Sequence, residues 1–420
     1  MRRSFSLLAA AWLAVVPLSI APAQAEPGAP CAPPAVPDPM PEGQSHDHTD
    51  AAQHGFACRV RTLASLDLRG AIPEPMLFGE IDAAGTTVAM ATAFPQAGFV
   101  LLDVSDPARP ALLSRYRDAR CETRSDLDCG ADVKLTPDGR FAFLALQRAA
   151  RGDPDESKRL QPGIVTVDVS DPRTPRRVSF APLRPVGVHM LAYHQIRGEG
   201  FVFARARGLG PRADEPGVAI FRVGRDGGLS RIGTIVVDAA HDVSLYDDPI
   251  DRTTYLSLSG AQSGHLYFFD VGDPANPKEA GRFSPRAEVR DNSWYMHNAW
   301  EFREGARRLA FAGPELYGEV GSLPPGHGSV AGPLWLLDTT SHARPHVLGE
   351  WRNPGRHAAG TLTFSPHNTW YAGDGITWTA HYHGGVWVLD WREVLAGRAR
   401  RPREIGYAVP NALRRDFVAS

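Results

Sequence analysis

Residues 100–116 read VLLDVSDPARPALLSRY, and the pattern returns along the chain. It recurs as IVTVDVSDPRTPRRVSF over 164–180, LYFFDVGDPANPKEAGRF over 266–283 and LWLLDTTSHARPHVLGEW over 334–351. Each copy is a short β-branched or aromatic run closed by Asp, then a Pro-containing turn, then a second alternating run. Pro presets φ for a turn and cannot donate to a β-ladder, so each copy predicts strand, tight turn, strand. Two weaker copies complete the set: VAIFRVGRDGGLSRIGTI over 218–235, where Arg222 replaces the Asp, and VWVLDW over 386–391, followed by an insertion (391–403) before EIGYAV at Glu404.

Upstream of the copies lie further pairs of short runs, such as DVKLTPDGRFAFLAL over 132–146 and DVSLYDDPIDRTTYLSL over 242–258. Four strands per unit, repeated six times, is the pattern of propeller blades, and helical periodicity is nearly absent. The sequence therefore predicts an all-β chain, a β-propeller of six four-stranded blades. A run from Arg59, RVRTLASLDL, is read either as an orphan outer strand closing the ring or as part of a seventh blade.

The runs ending in Asp and followed by DPxxP resemble the LVIVD repeat of bacterial exported and surface proteins, over about residues 75–408. The resemblance implies a β-propeller and carries little functional knowledge.

The N-terminus, MRRSFSLLAAAWLAVVPLSIAPAQA, has two arginines, an apolar run and small residues at Ala23 and Ala25, the layout of a cleavable signal peptide over 1–25. Arg2-Arg3-Ser4-Phe5 is compatible with either Sec or twin-arginine export. Residues 26–58 are rich in Pro, Ala and Gly and read as a linker or arm, 59–410 as the propeller, and 411–420 as a tail. The arm's HDHTDAAQH (His46, His48, His54) reads as a solvated polar tract.

Without residues 1–25 the formal net charge moves from −2 to −4, since two arginines and no acids leave. With only three lysines (Lys134, Lys158, Lys278) and no basic cluster, nothing points to nucleic acid. No run suits a membrane span, and the expectation is a periplasmic, secreted or cell-surface monomer. Cys31, Cys58, Cys121 and Cys129 are even in number, which in an exported chain favours disulfides. Cys121 and Cys129 bracket a short segment and are the expected pair, leaving Cys31 with Cys58.

Aligning the blades by their first strand places a histidine at one equivalent position in four of them: His189 (VHMLAY), His241 (AHDVSL), His297 (MHNAWEF) and His367 (PHNTWY). Ala131 takes the place in the second blade, and the first has only Glu80 nearby. The innermost strand lines the axis, so equivalent positions form a ring at one rim. His381 and His383, in TAHYHGG, should arrive at the same rim. Converging neutral imidazoles suit copper, zinc or iron, and Asp242, Asn298 and Asn368, which follow three of the histidines, could orient them. A repeated His-Asp or His-Asn could equally hydrogen-bond neighbouring backbones as an architectural device. Three of the four histidines are enough for one ion. His265, His327, His342, His346 and His357 are expected at the surface, His194 off the ring position but within reach of its ligands, and Glu301, Glu315 and Glu319 near the rim of the fifth blade, where a carboxylate base or ligand is conceivable but loop acids are mostly solvated. The aromatics Trp294, Tyr295, Trp300, Trp370, Tyr371, Trp378, Tyr382 and Trp387 are expected mainly in the core.

There is no GxSxG, P-loop or HExxH. Two functions remain: ligand binding through a His-ligated metal at the rim, extending to a redox-type activity on an unknown small molecule, or a non-enzymatic surface module gripping a protein or glycan. Enzyme and scaffold are both open at this stage.

Overall fold

The computed structural model describes residues 56–61, 63–64, 66, 68, 80–91, 98–118, 127–148, 161–183, 187–207, 216–237, 240–260, 263–285, 296–315, 333–353, 366–381 and 385–409. They form six antiparallel sheets of four consecutive strands. Blade 1 is β2 (Ile81–Ala84), β3 (Thr87–Ala91), β4 (Gly98–Asp103) and β5 (Ala111–Arg117). Blade 2 is β6 (Leu127–Leu135), β7 (Phe141–Arg148), β8 (Gly163–Asp168) and β9 (Arg176–Pro182). Blade 3 is β10 (Val188–Ile196), β11 (Glu199–Arg207), β12 (Pro216–Val223) and β13 (Leu229–Val236). Blade 4 is β14 (Val243–Asp247), β15 (Thr254–Gly260), β16 (His265–Asp270) and β17 (Lys278–Phe283). Blade 5 is β18 (Met296–Glu304), β19 (Arg307–Pro314), β20 (Leu334–Asp338) and β21 (His346–Trp351). Blade 6 is β22 (Thr369–Gly373), β23 (Ile376–Ala380), β24 (Val386–Asp390) and β25 (Arg403–Val409), with β1 (Phe56–Cys58) added outside β25. The 391–403 insertion holds one short helix, α1 (Arg392–Leu395).

The structure thus settles six blades. The orphan outer strand exists, but it is Phe56–Cys58, three residues upstream of Arg59 and inside the segment the sequence reading leaves in the arm; it pairs Cys58 with Tyr407.

The repeated Asp has a local physical role. Asp103, Asp168, Asp270, Asp338 and Asp390 each accept a hydrogen bond from the backbone N–H two residues on, at 2.8–3.1 Å. This side-chain turn bends the chain off the third strand. The following Asp-Pro supplies a second turn: the carboxylates of Asp106, Asp171 and Asp273 accept from the backbone N–H groups of Ala108, Arg173 and Ala275. Blade 3, with Arg222 in place of Asp, instead turns on Gly227 and on Asp226, which accepts from Gly228. In all six blades the third and fourth strands slip register by one residue just before this turn, for example at Thr166/Val167 and Phe268/Phe269. A bulge at that place increases the right-handed twist each blade needs.

The first strands β2, β6, β10, β14, β18 and β22 pack against one another in succession around a channel. Apolar clusters fill the spaces between adjacent sheets, such as Phe143, Leu191, Val202 and Phe221 between blades 2 and 3. Trp387 is buried there as expected, together with Trp335 and Trp391; Tyr371 and Trp378 are half-buried, whereas Trp300 and Trp370 are 39% and 50% exposed. Trp294, Tyr295 and Tyr382 lie outside the described residues.

His342, expected at the surface, is buried. The turn after Asp338 tucks against blade 4, where His342 stacks on Phe268 (centroids 4.4 Å apart), and its Nε2 meets Glu301 Oε1 at 2.8 Å. Glu301 also accepts from Ser257 and Thr339. Beside it Arg308 bonds both Asp248 and Asp251 and lies 4.4 Å from the centre of the Tyr255 ring. His265 is half-buried and His346 exposed; His327 and His357 lie outside the described residues.

Candidate metal centre

The histidine positions fall where the inner hairpins end at one rim. In blades 4 and 6 the imidazole residue closes the hairpin: His241 N donates to Ser259 O at 2.7 Å and His367 N to Ala380 O at 3.0 Å. In blades 3 and 5 the ladder skips a register at this point, between Val188 and Leu191 and between Met296 and Asn298. Bulges of this kind re-aim a side chain, and here they aim His189 and His297.

Four imidazoles stand in one row around the rim. Ring centroids are 4.9 Å apart for His189 and His241, 4.5 Å for His241 and His297, and 4.2 Å for His297 and His367. His241, His297 and His367 are buried, while His189 is half-buried. Glu315, directly after β19, comes in from the second-to-third-strand loop of blade 5 and is fully buried. Its Oε2 lies 3.3 Å from His297 Nε2, and its Oε1 3.5 Å from His367 Nε2. One donor atom each from His241, His297 and Glu315 fall within 4.8 Å of one another.

Burial holds all three buried imidazoles neutral. His241 and His297 lie well below the usual imidazole value, with neighbouring imidazoles adding to the effect, and the Arg205 guanidinium contributes at His241. His367 is pushed down to about 3 by burial. Arg205 donates from Nε to Ala240 O at 2.7 Å, bracing the residue before His241. His189 Nδ1 meets Gln147 Oε1 at 2.6 Å.

The residues after the histidines do different work. Asn298 donates to His367 O at 2.6 Å and to Asn368 Oδ1 at 3.1 Å, and Asn368 donates to Glu80 Oε2 at 3.3 Å, closing the ring from blade 6 to blade 1. Asp132, at the same position in blade 2, accepts from Leu191 N of blade 3 at 2.9 Å. Asp242 accepts from its own neighbour, Val243 N, at 2.7 Å. Asn298 and Asp132 thus bond the backbone of the next blade, the contact that the architectural reading of these pairs expects. Burial, with Glu80 adding to it, lifts the Asp132 carboxyl to about 7 and the Asp242 carboxyl to about 8. Lys134, 2.6 Å from Asp132, is held protonated against burial by Asp132, Glu80 and Asp82.

His381 is fully buried, with its ring edge-on to Trp351 at 5.7 Å and Nδ1 3.2 Å from Asn353 Nδ2. His383 lies outside the described residues. His194 pairs with Asp247 of blade 4 at 3.0 Å. From the sequence Glu315 is a conceivable ligand near the rim of the fifth blade, counted with the loop acids that are mostly solvated; it is instead fully buried. Glu319 lies outside the described residues. Cys58 is not a free thiol; Cys31, Cys121 and the side chain of Cys129 lie outside the described residues.

Residues 92–118 match the family model of the LVIVD repeat. No curated protein matches the chain in sequence. Among solved structures, a protein from Lactobacillus plantarum is similar at 12% identity and TM-score 0.51, over 78% of this chain and 87% of that one. A functionally unknown protein from Desulfotomaculum acetoxidans is similar at 11% identity and TM-score 0.47, over 75% and 82%. The hydrazine synthase of Kuenenia stuttgartiensis is similar at 12% identity and TM-score 0.47, over 83% and 87%. At such identities a likeness speaks for fold alone. The chain is a six-bladed β-propeller that carries the LVIVD repeat.

Proposed function

We propose that the rim of the channel binds one divalent transition-metal ion through His241, His297 and Glu315, with His367 beside them, and presents it to a small molecule entering from solvent. The observation that carries this reading is the Glu315 carboxyl, fully buried among neutral imidazoles. Its separations of 3.3 and 3.5 Å from two Nε2 atoms are long for a charge-assisted hydrogen bond, which runs to about 2.7–2.9 Å. The 3.3 Å between the two ligands His297 and Glu315 matches the edge of a ligand tetrahedron, about 3.4 Å when metal–ligand bonds are about 2.0–2.1 Å. Two imidazoles and a carboxylate with open positions suit zinc or iron(II) better than a thiolate-seeking ion, and copper remains compatible with the imidazoles.

The ion would act as a Lewis acid, or as a redox centre if it is iron or copper. The protein would work outside the cytoplasm after export, as the N-terminal segment, the arm and the even cysteines suggest, with Cys121 bonded to Cys129 and Cys31 to Cys58. Peptide mapping under non-reducing conditions tests those pairs; free thiols at Cys121 and Cys129 would refute the first.

Cobalt(II) titration of the metal-free protein tests the centre. Saturation at one equivalent with ligand-field absorption supports it, as does its loss in the double variant His241→Ala with His297→Ala. A wild-type chain that takes up no cobalt would favour the scaffold reading instead.

A further inference from the structure

Below the imidazole row the channel wall has two unlike sides. Three residues past the histidine position, the six first strands carry Asp82, Lys134, Ala192, Ser244, Trp300 and Trp370 in blade order. Side chains at this level turn toward the next blade: Asp82 accepts from Leu135 N of blade 2 at 2.7 Å, and Ser244 donates to Ala299 O of blade 5 at 2.7 Å. Blades 5 and 6 thus present indoles, blades 3 and 4 small groups that leave room, and blades 1 and 2 a carboxyl and an ammonium. Trp300 and Trp370 are 39% and 50% exposed although they lie inside β18 and β22. A first strand has its own sheet along one edge and the channel along the other, so this exposure is exposure to the channel. Large aromatic surface left wet inside a concave wall is the lining expected of a ligand site.

Across from the indoles, charge is out of balance. One level nearer the imidazoles stand Glu80, Asp132 and Asp242, which with Asp82 make four carboxyls, while Lys134 is the one cation on the two levels. Lys134 bonds Asp132 at 2.6 Å and also interacts with Glu80 and Asp82, so a single ammonium serves three acids. Burial, with repulsion from Glu80 adding to it, holds the Asp132 carboxyl up at about 7 against the pull of Lys134, the mark of a wall short of positive charge. We propose that the channel binds a small organic cation, a methylated ammonium, between the faces of Trp300 and Trp370 and the carboxyls of blades 1, 2 and 4. The site uses none of His241, His297 and Glu315 and stands apart from the metal reading. An indole face attracts a cation through the ring quadrupole, and the facing acids supply the complementary charge. Indole offers no lone pair to a bare metal ion, and a neutral ring such as a sugar would leave the acids unbalanced.

The test titrates the full chain, freed of metal by a chelator, with choline and with its neutral isostere dimethylbutanol, in which a tert-butyl group replaces the trimethylammonium; calorimetry and indole fluorescence read the binding. Choline should bind at least about tenfold more tightly than the alcohol. Trp300→Leu and Trp370→Leu should each weaken choline about tenfold, the loss of one desolvated cation–π contact, while Trp370→Phe, which keeps an aromatic face, retains most of the affinity. Glu80→Gln keeps the shape, removes one charge, and should weaken choline but leave the alcohol unchanged. The comparison of choline with the alcohol needs no variant, so it decides the matter even if a Leu variant fails to fold. Equal binding of the two probes, uptake of glucose in place of choline, no binding of choline at about 10 mM, or Leu variants that hold choline as the wild type does would each overturn the proposal. None of these readings depends on whether the imidazoles hold a metal.

Discussion

Replacing Glu315 by Gln should weaken metal binding and stabilise the metal-free protein in the same variant. The carboxyl is fully buried and its two oxygens face His297 and His367, both held neutral by burial. Without an ion, burying a carboxylate there costs free energy that a neutral amide of the same shape largely avoids, on the order of 1–3 kcal/mol. The propeller from Glu80 to Val409 has roughly 330 residues, which at about 2.1 cal/mol/K per residue gives about 1.4 °C in Tm per kcal/mol. The metal-free variant should therefore melt about 1.5–4 °C above the metal-free wild type. Saturating metal at a thousandfold excess over Kd stabilises the wild type by about 4 kcal/mol, or about 6 °C. The variant, having lost one anionic ligand, should bind at least about a hundredfold more weakly and gain little. Calorimetric melting of both proteins, with and without zinc, reads all four values. A metal-free Gln variant that melts below wild type would show that Glu315 is structural and refute the reasoning.

Asn298→Ala should cost about 2 kcal/mol, since it removes the donor to His367 O and Asn368 in a buried place, and should lower metal affinity about 10–100-fold; denaturant unfolding and cobalt titration check the two effects. Arg308→Met should destabilise by about 3 kcal/mol, because it removes one of the two guanidinium partners of the buried Asp248 and the guanidinium partner of Asp251, and its metal affinity should match wild type; a loss below 1 kcal/mol would mean that the network is dispensable. The pH dependence follows from the raised carboxyls. Asp132 and Asp242 bind protons more tightly folded than unfolded, so their contribution is complete below about pH 4 and is lost as pH rises through about 7 and about 8. The three buried imidazoles, with lowered values, act the opposite way, but only below about pH 6.5. From pH 6.5 to 8 the metal-free protein should thus lose about 2–3 kcal/mol, from half a unit at Asp132 and one and a half at Asp242 at about 1.4 kcal/mol each. A melting temperature that is flat or rises over that interval would contradict it.

The blade pattern was legible because a turn motif leaves a periodic trace. Asp closes the third strand with a side-chain turn, Asp-Pro makes the next one, and both are short-range devices visible in the residues themselves. The imidazole row was legible for the same reason, since rotation about one axis carries equivalent positions to one rim. What escaped depends on contacts between segments distant in sequence. Glu315 enters the site just after the second strand of blade 5, outside the strand–turn–strand motif that repeats along the chain. His342 looks like a surface turn residue until Phe268 and Glu301 of neighbouring strands cover it. β1 is three residues long, too short for any alternation, and owes its place to pairing with β25 at the other end of the chain.

The most direct measurement of the central claim is the metal content of the chain, expressed for export without a histidine tag and purified without chelator, set beside that of the triple variant His241→Ala, His297→Ala, Glu315→Ala. The account predicts close to one equivalent of zinc, iron or copper in the wild type and a trace in the variant. Equal metal content in the two proteins, or none in a folded wild type after supplementation with each ion, would contradict it.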